Sequence, residues 1–239
     1  MRRPKNPRSA TLSVEVFVEG HDEKVYFDRM KQDARFRSIA MTIKTENMSG
    51  GGYSAFLDYV KKNSAAQGCI ARFIVIDYDR YLNTSGEKEP FRKLVQYCVA
   101  KNKYSSTPYF LIVANPNLEL LLRLHMDGYQ ISKDPDRFLQ DQFKCQNIGE
   151  FKGKFIKENQ IFDRIMQPDI KTAVERACQY MRAKPKVVSN ALKCKGTGVN
   201  IKFKNDKITW DENNQPHKNV NMDEFFKVVF AAIEGLKEK

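Results

Sequence analysis

No run in this 239-residue chain approaches the ~20 apolar residues that a membrane-spanning helix requires, so no membrane role is expected. The N-terminus reads Met1-Arg2-Arg3-Pro4-Lys5 with no apolar segment behind it, so no secretory signal is expected either. The five cysteines, at 69, 98, 145, 178 and 194, are odd in number and contain no Cys-x-x-Cys pair. That pattern argues against a disulfide framework and against a zinc site, and a reducing cytoplasm is the expected setting. Ser49-Gly50-Gly51-Gly52 has no Lys-Ser or Lys-Thr after it, so it is not a Walker loop, and the chain has no ATP-binding motif of its own. Its glycines either let backbone N–H groups approach a phosphate or form a plain connection. Internal repeats and low-complexity segments are also missing. There is a single tryptophan, Trp210, read as a core anchor.

What the chain does have is positive charge. Lys and Arg number 41 against 29 acids, a formal net charge of +12, and the pI is near 9.4. Such an excess attracts polyanions over distances comparable with the Debye length, ~8–10 Å at ordinary salt. Nucleic acid is the leading partner class. At 41% hydrophobic residues, the chain has enough apolar surface for a packed core.

Residues 11–127 alternate between short Val/Ile/Phe-rich runs and helical patterns, the rhythm of a parallel sheet. Strands are predicted at 12–19, 41–48, 72–77 and 109–114. Helices are predicted from Asp22, whose side chain is a potential cap, then at 53–62 and 91–101 and through 118–125 after Asn115-Pro116. Right-handed crossovers then give a small parallel sheet covered on both faces. Beyond residue 128 the rhythm changes. Helices are predicted at 133–140, 151–158 and 169–182, a short strand pair at 200–203 and 207–210, and a final helix at 222–237. That last helix carries Phe225, Phe226, Val229, Phe230 and Ile233 at helical spacing, a stripe suited to packing on the sheet.

Two of the strands end on acids. Val14-Glu15-Val16-Phe17-Val18 stops at Glu19-Gly20, and Phe73-Ile74-Val75-Ile76 stops at Asp77-Tyr78-Asp79. In open α/β sheets, chemistry gathers at the carboxyl ends of the strands. Continued extended backbone would send Asp77 and Asp79 to the same side, close enough to share a cation. Without a counter-ion, two such charges raise a pKa and cost stability. Hard oxygen donors suit Mg²⁺ or Mn²⁺. Glu19-Gly20 by itself also reads as a surface turn. Glu23, one helical turn on, reads either as a further ligand or as an exposed acid at a helix start. Glu119 either serves the site or pairs with Arg123 at i,i+4. His125 orients a phosphate or packs, and His21 is open between substrate and solvent. The segment 182–207 holds eight Lys/Arg against one acid, Asp206. Within it Lys193, Lys195, Lys202 and Lys204 form a nucleic-acid surface or a solvated face, and Arg80 is a further phosphate contact.

The order Val18-Glu19-Gly20, then Ile76-Asp77-Tyr78-Asp79, resembles the Glu and Asp-x-Asp elements of the TOPRIM domain. The segment Ala114-Asn115-Pro116-Asn117-Leu118-Glu119-Leu120-Leu121-Leu122-Arg123-Leu124-His125 resembles the Ser-Asn-Pro-x-x-Glu-Leu-x-Leu-x-Leu-His signature of the RloB-like TOPRIM family. The likeness covers residues 11–127, about half the chain. Where that family usually has Asp-Arg-Asp this chain has Asp77-Tyr78-Asp79, with Arg80 just beyond, and a neighbouring branch related to PARIS- and OLD-type effectors fits equally. The resemblance implies an α/β TOPRIM-like core, a parallel four-stranded sheet flanked by helices, over 11–127. A flexible basic tail at 1–10 would precede it, and a basic, mainly helical extension over 128–239 would pack on it. It further implies a metal-dependent nuclease acting on DNA or RNA, tRNA included. Glu19, Asp77 and Asp79 would hold Mg²⁺ or Mn²⁺, with Glu23 as a further ligand and Glu119 in the catalytic set. A partner ATPase of ABC or AAA type would control it in anti-phage defence. The alternative is a catalytically silent TOPRIM-fold subunit that binds nucleic acid or the ATPase.

Overall fold

Val14 to Val18 and Cys69 to Ile76 are buried without a break, the mark of parallel strands covered on both faces. The computed structural model describes residues 12–45, 51–115, 117, 119–128, 134–156, 219–220 and 222–237. The tail at 1–10, Ser49, Gly50, Pro116, Leu118, the helix expected at 169–182 and the strand pair expected at 200–210 lie outside the described residues. So do Lys193, Lys195, Lys202, Lys204 and Trp210.

Along the chain run β1 (Ser13–Val18), α1 (His21–Met30), a 3₁₀ turn (Ala34–Phe36), β2 (Ala40–Thr45), α2 (Gly52–Lys62) and β3 (Cys69–Asp77). Then come α3 (Asp79–Asn83), α4 (Lys88–Tyr104), β4 (Tyr109–Asn115), α5 (Glu119–Leu124), α6 (Pro135–Phe143) and α7 (Ile148–Phe151). A π-helical turn (Lys152–Ile156), β5 (Asn219–Val220) and α8 (Met222–Lys237) complete the described elements. The sheet order is β2-β1-β3-β4-β5. The first four strands are parallel, and the two-residue β5 adds an antiparallel edge that sequence patterning did not show.

The fold is therefore α/β, with a four-stranded parallel sheet flanked by helices, as expected. Side chains alternate across it. Val14, Val16, Val18, Phe73, Val75, Phe110 and Ile112 face α1 and α8. Phe17, Ile74, Ile76, Leu111 and Val113 face α2 and α4. The stripe on α8 is core: Phe225 meets Phe73 edge-on at 4.7 Å and Phe27 at 5.4 Å. Among the described residues, no helix is long and apolar enough to cross a membrane.

Three local expectations need correction. The cap of α1 is Gly20 with no side-chain hydrogen bond, rather than Asp22. The helix expected at 151–158 is instead α7 running into the π turn. The stretch 77–79 does not stay extended: Tyr78 is αR (φ −94°, ψ −12°) and Asp79 begins α3. Tyr78 is buried, its ring stacked on Tyr81 at 4.6 Å and edge-on to Phe91 at 5.6 Å, so the chain turns as soon as β3 ends.

Two charges in the sheet interior are fully compensated. Arg72 donates from Nε to Glu15 Oε2, from Nη1 to the Tyr109 hydroxyl and from Nη2 to the Asn63 carbonyl, each at 2.6 Å. Lys44 lies 2.9 Å from the other Glu15 oxygen. Burial alone would raise the Glu15 carboxyl, but hydrogen bonds from Lys44 and Arg72 outweigh it and hold the group below its ordinary range. Removing one partner of such a pair strands a buried charge. Arg72→Met should therefore destabilise the fold by ~3 kcal/mol in urea unfolding, the low end for a broken buried pair because Lys44 remains. The double substitution Glu15→Leu with Arg72→Met should lose less.

Candidate active site

The strand order reverses at β1. The chain leaves β1 over one face, through α1, to β2 on one side. It returns over the other face, through α2, to β3 on the opposite side. A crevice opens beyond the carboxyl ends of two strands at such a point. Glu19 follows β1 there, and Asp77 ends β3. Register pairs Val18 with Val75, so the two strand ends are adjacent.

Glu19 is partly exposed as a residue, but its Oε1 is sealed from solvent and has no hydrogen-bond partner. Burial first, then the charges of Glu23 and Asp79, push its carboxyl up to about 8, against the guanidinium of Arg80 and a main-chain hydrogen bond from Asp77. Asp77 is raised well above the ordinary carboxylate range by burial and then by Glu23, Glu19 and Asp79, with Lys152 opposing. Glu19, Glu23, Asp77 and Asp79 thus sit within one another's fields. The extended-backbone argument for Asp77 and Asp79 fails, yet the turn into α3 still brings Asp79 to the cluster.

Glu23 is not a surface acid. It is buried, and burial raises its carboxyl while main-chain hydrogen bonds at Glu23 and Gly20, together with Lys152, work the other way. Gly20 caps α1 and Glu23 is its third helical residue, so the carboxylate reaches back to the cap as in a capping box. A Cβ on Gly20 would lie 2.7 Å from Glu23 Oε2 and push it off those N–H groups.

Glu119 is 1% exposed. Its Oε1 pairs with Lys152 Nζ, while Oε2 is buried without a hydrogen bond. Of the two readings open for Glu119, the side-chain pair with Arg123 is not the one formed. Arg123 Nε donates instead to the Glu119 main-chain carbonyl at 3.1 Å. His125 is buried at 2.9 Å from the Tyr26 hydroxyl, which favours packing over phosphate contact. His21 is exposed.

Sequence patterning missed Lys152, Tyr53 and Glu87. The Tyr53 hydroxyl donates to the Asp77 carbonyl at 2.6 Å and accepts from the Tyr81 N–H at 3.1 Å, which pins the turn between β3 and α3. Glu87 Oε2 accepts from the Tyr53 N–H at 3.0 Å, and Arg80 lies 3.8 Å from Oε1. Gly52 has φ +58°, and a Cβ there would sit 1.9 Å from Glu87 Oε1. Gly52 therefore admits a carboxylate of this chain to the start of α2. No local pattern marks these three residues, because each is recruited from a distant segment.

No family model, no curated protein and no solved structure matches this chain. The reading of the site rests on its own geometry. Among the described residues, no three His, Cys, Asp or Glu side chains stand together at ligand spacing. The donor chemistry nevertheless fits a hard divalent cation: all oxygen, with two buried carboxylate oxygens lacking hydrogen bonds and acids raised by burial and mutual repulsion.

These shifts carry a sign. An acid raised on folding leaves the unfolded chain holding fewer protons than the native state between its two pKa values, so stability falls as pH rises there. For Glu19 that window runs from 4.5 to about 8. Below it the penalty is absent, and above it complete. With chelator present, the melting temperature should fall between pH 5 and pH 8. Glu19→Gln should flatten that fall, and Mg²⁺ should raise melting more at pH 8 than at pH 5. A melting temperature that climbs across this range would refute the burial-driven shifts.

Proposed function

We propose that this protein is a divalent-metal-dependent nuclease that cleaves phosphodiester bonds in nucleic acid. The observation that carries the reading is the set of mutually repelling, desolvated carboxylates at the point where strand order reverses. Glu19, Asp77 and Asp79 would hold Mg²⁺ or Mn²⁺, with Glu23 beside them. Bound there, such an ion supplies Lewis-acid polarisation of a phosphate oxygen and lowers the pKa of a coordinated water.

The chain's own groups do the rest. Arg80, on the first turn of α3, places a guanidinium in the field of Glu19 and suits a phosphate by its planar fork. Tyr53 fixes the main chain at Asp77, so the carboxylate there is aimed by a rigid turn. Glu19, held up to about 8 in the metal-free protein, would give up its proton to a bound cation, so metal affinity there should rise with pH.

The likeness of 114–125 to the RloB-like TOPRIM signature extends the proposal to an anti-phage effector in the cytoplasm, governed by a partner ATPase of ABC or AAA type. The formal charge of +12 supports a polyanionic substrate, DNA or RNA. One observation favours a catalytically silent binding subunit: Lys152 already opposes part of the acidic charge without any metal.

Cleavage assays separate the two. Glu19→Ala, Asp77→Ala and Asp79→Ala should each abolish Mg²⁺-dependent cleavage while circular dichroism reports an intact fold. Wild-type rates in all three would end the assignment at this site. Affinity should come from elsewhere. Neutralising Lys193, Lys195, Lys202 and Lys204 together should weaken binding and flatten its salt dependence, by ~0.9 in the log–log slope for each lysine that meets a duplex phosphate. An unchanged slope makes these four a solvated face.

A further inference from the structure

Tyr104 is 88% exposed, although an aromatic ring is among the side chains that gain most from burial. It closes α4, where Tyr97, Lys101 and Tyr104 take the i, i+4 and i+7 positions of one helical stripe. Tyr97 is half-buried and stands edge-on to Tyr109 at 5.8 Å. Its ring collects two ammonium groups from two helices. Lys101 Nζ lies 5.5 Å from the ring centroid, and Lys61 Nζ, from the last turn of α2, lies 5.9 Å from it. Both helices end where β3 and β4 begin, at the edge of the sheet opposite the acidic cluster. The 17 residues of α4 separate its two ends by about 25 Å, so this surface is distinct from the candidate active site.

The negative end of a helix attracts cations, and that accounts for the lysines that close α2. It does not account for ammonium groups of two helices meeting on one ring, with an exposed tyrosine beside them. Two such charges repel each other, and an anion between them would be held by both. The nearby acid Asp58 lies 3.6 Å from Lys61, in an exposed pair of the kind that contributes little. A polyanion suits the surface better, and the formal charge of +12 draws one in. Cationic groups beside an open aromatic face match a single strand in particular: the cations follow its backbone and the ring stacks on a base. Paired bases in a duplex are already stacked on one another and offer no such face to a surface side chain.

We propose that the outer face of α4, together with the end of α2, binds single-stranded nucleic acid: Lys61 and Lys101 hold backbone phosphates at the Tyr97 ring, and Tyr104 stacks on an unpaired base. The proposal rests on the nucleic-acid part of the reading above and is independent of its metal. It makes the preferred ligand a single strand, or the unpaired part of a folded one, held away from the acids.

Binding measured with chelator present tests this without any cleavage. Full-length protein is titrated into fluorescein-labelled oligothymidylate, oligouridylate and a mixed-sequence duplex, read by anisotropy. Tyr104→Ala should weaken binding of the single strand by roughly 5–150-fold, the loss of one base stack, and leave the duplex unchanged. Tyr104→Phe, which keeps the ring, should bind as the wild type does. Lys61→Gln with Lys101→Gln should lower the log–log salt slope on the single strand by ~0.7 for each lysine that meets a phosphate. Should Tyr104→Ala melt early, Tyr104→Gln replaces it. Unchanged single-strand affinity in Tyr104→Ala, an equal loss on single strand and duplex, or an unchanged slope in the lysine variant would overturn the inference while leaving the nucleic-acid reading in place. So would a dimer in sedimentation that Tyr104→Ala abolishes, because the face would then belong to a second copy of the chain. A wild type that binds none of the three probes removes the nucleic-acid reading itself, and this inference with it.

Discussion

Taking a carboxylate out of water costs several kcal/mol unless something positive or a hydrogen-bond donor replaces the solvent, and this fold removes several from water at one point. Glu19 follows β1, Glu23 lies on α1, Asp77 ends β3 and Glu119 opens α5, and the tertiary fold is what brings these segments together. What surrounds them offsets the cost in part. Main-chain N–H groups meet Glu23, Arg80 opposes the charge at Glu19, and Lys152 meets Glu119 and acts on Asp77. The compensation is incomplete, because Glu19 and Asp77 stay raised and buried oxygens remain without partners.

The contrast within the same sheet is informative. Glu15 and Arg72 face each other across β1 and β3 on the side that packs against α2 and α4, and every charged atom reported for them has a partner. Glu15 is accordingly held below its ordinary range, whereas Glu19, four residues on, is held well above it. One carboxylate is bound into the scaffold, and the other is only partly compensated. Burial is common to both, so it is the presence or absence of a matched partner that separates a structural acid from a candidate catalytic one.

Support for the site extends beyond the acids. Tyr53 ties α2 to the Asp77 carbonyl and to the first turns of α3, and Glu87, from the start of α4, holds the beginning of α2. The turn that carries Asp77 and Asp79 is thereby braced from the second core, where Tyr78, Tyr81 and Phe91 pack together. Rigid bracing of this kind lets opposed charges keep fixed positions rather than swing apart.

Much of this was legible in the chain itself. Largely apolar runs ending on Glu19 and Asp77 marked the strands and the edge where the acids gather, because burial on both faces of a parallel sheet leaves its trace in local hydrophobicity, and the Phe225–Phe226–Phe230 stripe marked a core helix. The glycine after Glu19 was also visible, although its nearness to the Glu23 carboxylate was not. Local pattern misjudged Asp77-Tyr78-Asp79, since the burial of the Tyr78 ring against Tyr81 and Phe91, rather than any preference of the tripeptide, turns the backbone. It could not choose a partner for Glu119 either: Arg123 is one helical turn away, but Lys152 arrives from a segment that composition does not distinguish from other basic surface. Sequence alone determined which residues are apolar, which are acidic and where strands end, because those depend on neighbours along the chain. Which charges meet, and which are left unmatched, was decided only by tertiary structure, because Coulomb interactions and desolvation depend on distance through space.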